Sequence, residues 1–281
     1  MFVTRFAPSP TGRLHRGHAY SALIAAGAAR AASGMFILRI EDLDAGRCRP
    51  EFEAAIFEDL AWLGLQWPKP VRRQSEHIAD YAAALATLRA RGLLYRCFRT
   101  RAELTSDLAA APHGPVAAPR GGPLDPREED RRLAEGAPFA WRLSIDACHR
   151  TLGGFDDLTI TVIDPNGDLI VRPARPETAG DIALSRKDAP AAYHLACVHD
   201  DALQGITHVI RGEDLAEAAH IQRLLQALLG LPPVIYRHHP LILGANGKRL
   251  AKRDQSETLA SLRAAGVTPE ALCGGLGLDW I

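Results

Sequence analysis

The sequence predicts an α/β fold in which a parallel sheet is covered by helices on both faces and an α+β subdomain is inserted part-way along. Three observations predict it. The N-terminus reads as strand, glycine-bearing loop, helix and strand in succession. Strand-like and helix-like segments go on alternating to about residue 95. The stretch 111–126, with five prolines and three glycines, then breaks the alternation, which resumes beyond 180.

The first strand is placed at Phe2 to Ala7, before the turn-rich Pro8-Ser9-Pro10-Thr11-Gly12. Gly17 to Ala32 is dense in alanine and stops at Ser33-Gly34, as a helix does. Phe36 to Ile40 is a short apolar run suited to a covered parallel strand. Pro50 can open the next helix, in which Phe52, Ala55, Ile56, Leu60 and Leu63 share a face. Glu76 to Arg91 is a further amphipathic helix ending at Gly92. Asp164-Pro165-Asn166-Gly167 joins Leu158–Ile163 to Leu169–Arg172 as a hairpin. Ala192 to Val198 and Thr207 to Arg211 read as strands, Leu215 to Leu229 as a helix, and Thr258 to Leu278 as about two helices. The expected division is a sheet-bearing domain over 1–95 and 180–245, an inserted subdomain over 96–179, and a basic loop with short helices over 246–281.

Composition narrows the function classes. With 33 basic and 33 acidic residues among 281, no global positive field steers polyanions, so a nucleic-acid partner would need a local basic patch. No window approaches about 18 uninterrupted apolar residues, which speaks against a membrane span. The N-terminus carries no basic leader with an apolar stretch, so a cytoplasmic protein is expected. Five scattered cysteines without a CxxC pair suggest neither a disulfide framework nor a four-cysteine metal site.

Two segments carry chemistry. In His15-Arg16-Gly17-His18, two histidines straddle a glycine where a loop enters a helix. The free amides and partial positive charge of a helix N-terminus suit phosphates, and Gly17 keeps no side chain in a nucleotide's way. The same histidines could simply cap the helix. Far along the chain, Gly247-Lys248-Arg249-Leu250-Ala251-Lys252-Arg253 follows a turn and suits a loop closing over polyphosphate; taken alone, a solvated basic loop is the plainer reading.

Together the two segments resemble the HIGH and KMSKS signatures of class I aminoacyl-tRNA synthetases. The glutamyl branch is indicated by Arg5 to Gly12, Arg39 to Asp44, Trp62 to Leu65, Gln74 to Glu76, Tyr193 to Ala196, Asp200-Asp201 and Val209 to Asp214, which occur in that family's order over nearly the whole chain. The resemblance implies a Rossmann-like catalytic domain and the following roles. Arg5 and Arg211 hold carboxylates of L-glutamate, Glu41 receives its amino group, Ser9 adds a hydrogen bond and Tyr193 lines the side-chain pocket. Pro8, His15, Gly17, His18, Leu243 and Lys252 bind ATP, with His15, His18 and Lys252 assisting adenylate formation. Magnesium is expected to arrive with ATP.

Some residues depart from the family pattern. The closing loop has Arg249 for its usual first lysine and Ala251 for its usual serine. Cys197 stands where relatives often have an asparagine contacting the amino acid; a small buried residue on a strand is the plainer expectation for it. Zinc-binding relatives use a CxC pair with a later tyrosine and cysteine. Here Tyr95-Arg96-Cys97-Phe98-Arg99 offers one thiolate, so no zinc is expected.

Only 28 residues follow Arg253, enough to complete a stem-contacting region but not an anticodon-binding domain. The chain therefore resembles the short branch of the family, which transfers glutamate to the queuosine base in the anticodon loop of tRNA(Asp). A monomer acting on tRNA(Asp) bearing queuosine, away from membranes, is expected. A truncated synthetase charging the tRNA 3′ end and a non-catalytic tRNA-binding relic are the alternatives.

Overall fold

A computed structural model describes residues 1–99, 103, 121–185, 191–242 and 257–278. The chain opens with strand β1 (Val3–Phe6), helix α1 (Arg16–Ala31), strand β2 (Met35–Ile40), helix α2 (Pro50–Trp62) and the short strand β3 (Arg72–Arg73). All three strands are parallel, in the order β1-β2-β3, with Val3 opposite Met35 and Arg39 opposite Arg72. Small side chains let α1 lie close to this sheet, since Ala19, Ala22, Ala25 and Ala29 are all buried. Pro50 occupies the first turn of α2, where a missing N–H costs nothing.

Helix α3 (Ile78–Ala90) leads to β4 (Leu94–Cys97), and after α4 (Pro126–Ala134) comes β5 (Ala140–Leu143), which pairs antiparallel with β4 as a separate two-stranded sheet. Helix α5 (Ile145–Leu152) is capped by the Ser144 hydroxyl, which accepts from the Ala147 amide, and ends at Gly153 in the left-handed region. The predicted hairpin forms as β6 (Thr159–Ile163) and β7 (Leu169–Pro173).

Helix α6 (Tyr193–Leu203), strand β8 (His208–Gly212), helix α7 (Ala218–Leu229) and strand β9 (Ile235–His239) follow. The second main sheet has the order β7-β6-β9-β8, with β6, β9 and β8 parallel. The hairpin, which the sequence places in the inserted segment, is thus hydrogen-bonded to β9, and its Ile160 is buried in one cluster with Leu224 and Tyr236. The two main sheets meet at their edges. The Val3 amide donates to Thr207 Oγ1 and the Thr207 amide to the Val3 carbonyl, both at 2.9 Å.

One element differs in kind from its sequence reading. Ala192 to Val198 was expected as a strand and forms the start of α6. Leu195, Ala196, Cys197, Val198, Asp200 and Asp201 are all buried there, so this helix is enclosed on most sides and lacks an amphipathic stripe. Cys197 accordingly sits on a helix, not a strand.

Helices α8 (Leu259–Ala264) and α9 (Pro269–Gly275) complete the described chain, capped by Thr258 and Thr268. They pack on the N-terminal half, where Leu259, Leu262, Leu272 and Cys273 join the cluster that holds Leu23, Ile56 and Leu60. No described helix is long and apolar enough to cross a membrane.

Candidate active site

A cleft of about 480 Å³ opens beyond the carboxyl ends of the parallel strands β1, β2, β8 and β9. This is where open α/β sheets receive ligands, because the chain leaves adjacent strands in opposite directions there. Strand β1 delivers Arg5, Pro8 and Ser9 to its wall, β2 delivers Glu41, and β8 delivers Arg211 and Gly212. The N-terminus of α1 contributes Gly17 and His18, and α6 contributes Tyr193 at its first position. Eight of the expected site residues therefore converge on one cavity.

His15 stands behind His18, their ring centroids 3.8 Å apart. Its Nδ1 accepts from the Gly17 amide at 3.1 Å, while His18 Nδ1 accepts from the His15 amide at 3.2 Å, a reciprocal cap of α1. Gly17 is tied to this geometry, because a Cβ there would come within 3.1 Å of the His15 ring. Capping and cleft lining thus coexist: His15 fixes the helix start and His18 faces the cavity. Leu243 and Lys252, with Arg249, Ala251 and Arg253 of the basic loop, lie outside the described residues.

Beneath the cleft floor runs a buried ionic network. Arg39 is 0 % exposed, and its Nη1 donates to Asp201 Oδ1 at 2.8 Å and to Gln204 Oε1 at 3.0 Å, while Nη2 donates to Glu41 Oε1 at 3.1 Å. Arg5 Nε donates to the same Asp201 oxygen at 3.2 Å. Burial works against the Asp201 carboxylate, but the guanidinium groups of Arg5 and Arg39 outweigh it and hold its pKa below the ordinary value. For Glu41 the balance goes the other way: burial raises its pKa despite Arg39 and Arg5. Burial also raises the Tyr193 phenol, helped by Cys197 and Glu41, so Tyr193 stays a neutral hydroxyl.

Arg211 is held differently. Its Nη1 donates to Gln222 Oε1 at 2.8 Å and its Nε to His238 Nε2 at 3.4 Å, and its guanidinium lies over the Tyr236 ring at 5.2 Å. Its Nη2 is buried and has no hydrogen-bond partner. A guanidinium lining a cavity with an unsatisfied donor fits a carboxylate of a bound ligand.

The family described as tRNA synthetases class I (E and Q), catalytic domain, matches residues 1–280. The chain belongs to that family. As a class I tRNA synthetase it is an ATP-dependent ligase. It is 44% identical over 281 residues to the glutamyl-Q tRNA(Asp) synthetase of Rhodobacter capsulatus, covering 98% of this chain and 100% of that protein. It is 42% identical to the protein of the same name from Symbiobacterium thermophilum, covering 98% of this chain and 85% of the relative. Among solved structures, a glutamate tRNA ligase from Elizabethkingia meningosepticum in complex with its amino acid superposes with a TM-score of 0.70 at 31% identity, covering 90% of this chain and 52% of that one.

Several residues that shape this synthetase site were not singled out in the sequence. Arg39 left a signal, a lone charge within the apolar run Phe36 to Ile40. Gln222 left another, a polar side chain among the buried Ile221, Leu224 and Leu225 of α7. Tyr20, Ser21 and His239 left none. They also line the cleft, with His239 Nε2 2.8 Å from Ser21 Oγ and its Nδ1 donating to the Pro240 carbonyl at 2.9 Å. Cys197 does not line the cavity. Its sulfur lies between Arg5 Nη2 and Arg39 Nη2, each at 3.8 Å, and accepts from Gln222 Nε2 at 3.7 Å, while its S–H donates to Asp201 Oδ2 at 3.6 Å. Burial, followed by Asp201 and Glu41, pushes its thiol pKa up to about 12, so it remains protonated.

Cys97 is buried at the end of β4, paired with Ala140. Among the described residues, no group of three or more His, Cys, Asp or Glu side chains could hold a metal ion.

Proposed function

We propose that this synthetase activates L-glutamate with ATP and transfers the glutamyl group to the queuosine base in the anticodon loop of tRNA(Asp). One observation carries the amino-acid choice: two guanidiniums, Arg5 and Arg211, and one carboxylate, Glu41, converge on a single cleft. Glutamate presents two carboxylates and one ammonium, the complementary set. Ser9 and the neutral hydroxyl of Tyr193 supply further hydrogen bonds. Pro8, Gly17 and His18, with His15 holding the helix end, receive ATP; by the family resemblance Leu243, beside the adenine, and Lys252 of the signature loop complete the ATP-binding set.

In the first step a glutamate α-carboxylate oxygen attacks the α-phosphorus. The bond to the bridging oxygen breaks, pyrophosphate leaves, and glutamyl-adenylate forms. The residues act by alignment and by compensating charge, with no covalent enzyme intermediate. Magnesium, bound mainly by the phosphates, neutralises part of their charge. In the second step an acceptor hydroxyl attacks the acyl carbon and AMP leaves. The near full-length similarity to two proteins named glutamyl-Q tRNA(Asp) synthetase supports the acceptor as a hydroxyl of queuosine. In this reading the enzyme works in the cytoplasm as a monomer.

The test is to map labelled glutamate on tRNA(Asp) carrying or lacking queuosine. Label confined to the anticodon loop, and only when queuosine is present, is expected. Label on the 3′-terminal adenosine would replace this reading by ordinary tRNA charging, and absence of glutamate-dependent ATP–pyrophosphate exchange would remove both.

A further inference from the structure

The cations of this site differ in how their charge is used inside the protein. Arg5 and Arg39 share the Asp201 carboxylate, and Arg39 is also bonded to Glu41. Arg211 has no carboxylate within ion-pair distance among the described residues. Its polar partners are an amide oxygen, Gln222 Oε1, and an imidazole nitrogen, His238 Nε2. Both are uncharged. Burial, then the neighbouring Arg211, then His239 and His220, push the His238 pKa down to about 4, so its ring keeps the lone pair that accepts from Arg211 at neutral pH.

The orientation of the Gln222 amide is also fixed. Gln222 is 1 % exposed, and its Nε2 donates to Cys197 Sγ, which turns Oε1 toward Arg211. The Tyr236 ring closes one face of the guanidinium. Three contacts therefore restrain the Arg211 side chain without adding a negative charge, and the Nη2 left over is buried and unpaired.

We propose that Gln222 and His238 are positioning residues that set the preference for an anionic amino-acid side chain: they lock Arg211 through uncharged acceptors and leave its charge for a substrate carboxylate. A glutamate at position 222 would place a carboxylate where Oε1 now lies, 2.8 Å from Nη1, and the incoming substrate would meet a cation already neutralised. An acceptor that is merely absent has a different consequence. The guanidinium then loses its orientation but keeps its charge.

The inference rests on glutamate being the substrate, and the experiment separates the two. Glutamate-dependent ATP–pyrophosphate exchange is measured for the wild type, Gln222→Glu and Gln222→Met, with glutamate and glutamine as competing amino acids. Gln222→Glu is expected to raise the KM for glutamate by about tenfold or more and to lower the preference for glutamate over glutamine by a similar factor, with the KM for ATP within about twofold. Gln222→Met is expected to raise the glutamate KM while retaining the preference. A Gln222→Glu enzyme with wild-type glutamate KM and preference, or one in which both KM values rise together, overturns the inference alone. A wild-type enzyme that exchanges without glutamate overturns the substrate reading and the inference with it. Should Gln222→Glu not fold, His238→Glu puts a carboxylate against Arg211 from the other side, with the same expected and overturning results.

Discussion

At the scale of single residues, the site combines groups that reach the cleft with groups that hold those in place. His18 lines the cavity while its partner His15 caps α1, so the two histidines should fail differently. His18→Ala removes a cleft group together with the half of the reciprocal cap that accepts from the His15 amide, and should lower the rate of adenylate formation by on the order of 100-fold while costing less stability than His15→Ala. His15→Ala removes a cap and should cost about 1 kcal/mol of stability besides lowering the rate. Equal stability of the two variants in urea unfolding would contradict this division. Arg5, Ser9, Glu41, Tyr193 and Arg211 were legible in the sequence because they sit at strand ends and helix starts within recognisable blocks. Gln222 and His239 were not, since their roles depend on neighbours 11 and 218 residues away, Arg211 and Ser21.

At the scale of elements, most of the fold was legible because strands β1 and β2 and helices α1 and α2 carry their own boundaries in glycine and proline. Helix α6 was misread because a short apolar run has no period that distinguishes a buried strand from a buried helix. The junction after α1 shows how tightly these elements meet. A Cβ on Gly34 would lie 2.2 Å from the Phe2 carbonyl oxygen, a backbone atom that cannot swing aside. Gly34→Ala should therefore destabilise the protein by about 2–3 kcal/mol, seen as a lowered urea midpoint with an unchanged slope. A variant as stable as the wild type would mean that β1 and the α1–β2 turn move apart freely.

The packing of α8 on α2 predicts a pH effect. Asp59 of α2 is fully buried, neither of its oxygens has a hydrogen-bond partner, and Oδ1 lies 3.5 Å from Arg263 Nη1 of α8. Burial raises its pKa to about 6 from an ordinary 3.8, against the pull of Arg263 and Arg13. Between these two values the folded state holds more protons than the unfolded state, so this group's contribution to stability is full below 3.8 and is lost as pH rises through 6. Asp59→Asn should remove that dependence. Its stability relative to the wild type should increase by on the order of 2 kcal/mol between about pH 4 and pH 7.5. A pH-independent difference in unfolding free energy would rule out Asp59 as the titrating group.

At the scale of the whole molecule, the cleft exists because two halves of the chain are pinned together beneath it. Arg39 of β2 reaches Asp201 of α6 across 162 residues of sequence, and Asp200 beside it accepts from Tyr81 at 2.8 Å, Gln74 at 3.1 Å and Arg72 at 2.9 Å. Such a contact leaves only a faint trace in a sequence, because nothing local states which acid a buried arginine will meet. It also sets a cost. Three carboxylates, Glu41, Asp200 and Asp201, lie around one fully buried guanidinium. Replacing Arg39 by methionine fills much of the volume but takes away the ion-pair partner of Glu41 and leaves Asp201 to Arg5 and Asp200 to Arg72, and breaking one side of a buried network costs about 3–5 kcal/mol. Arg5 lines the cleft and shares only Asp201, so Arg5→Met should cost less stability while still impairing glutamate binding. Urea unfolding of the two variants decides the matter. Arg39→Met should unfold at a clearly lower midpoint than Arg5→Met; the reverse order would mean that Arg5, not Arg39, holds the halves in register.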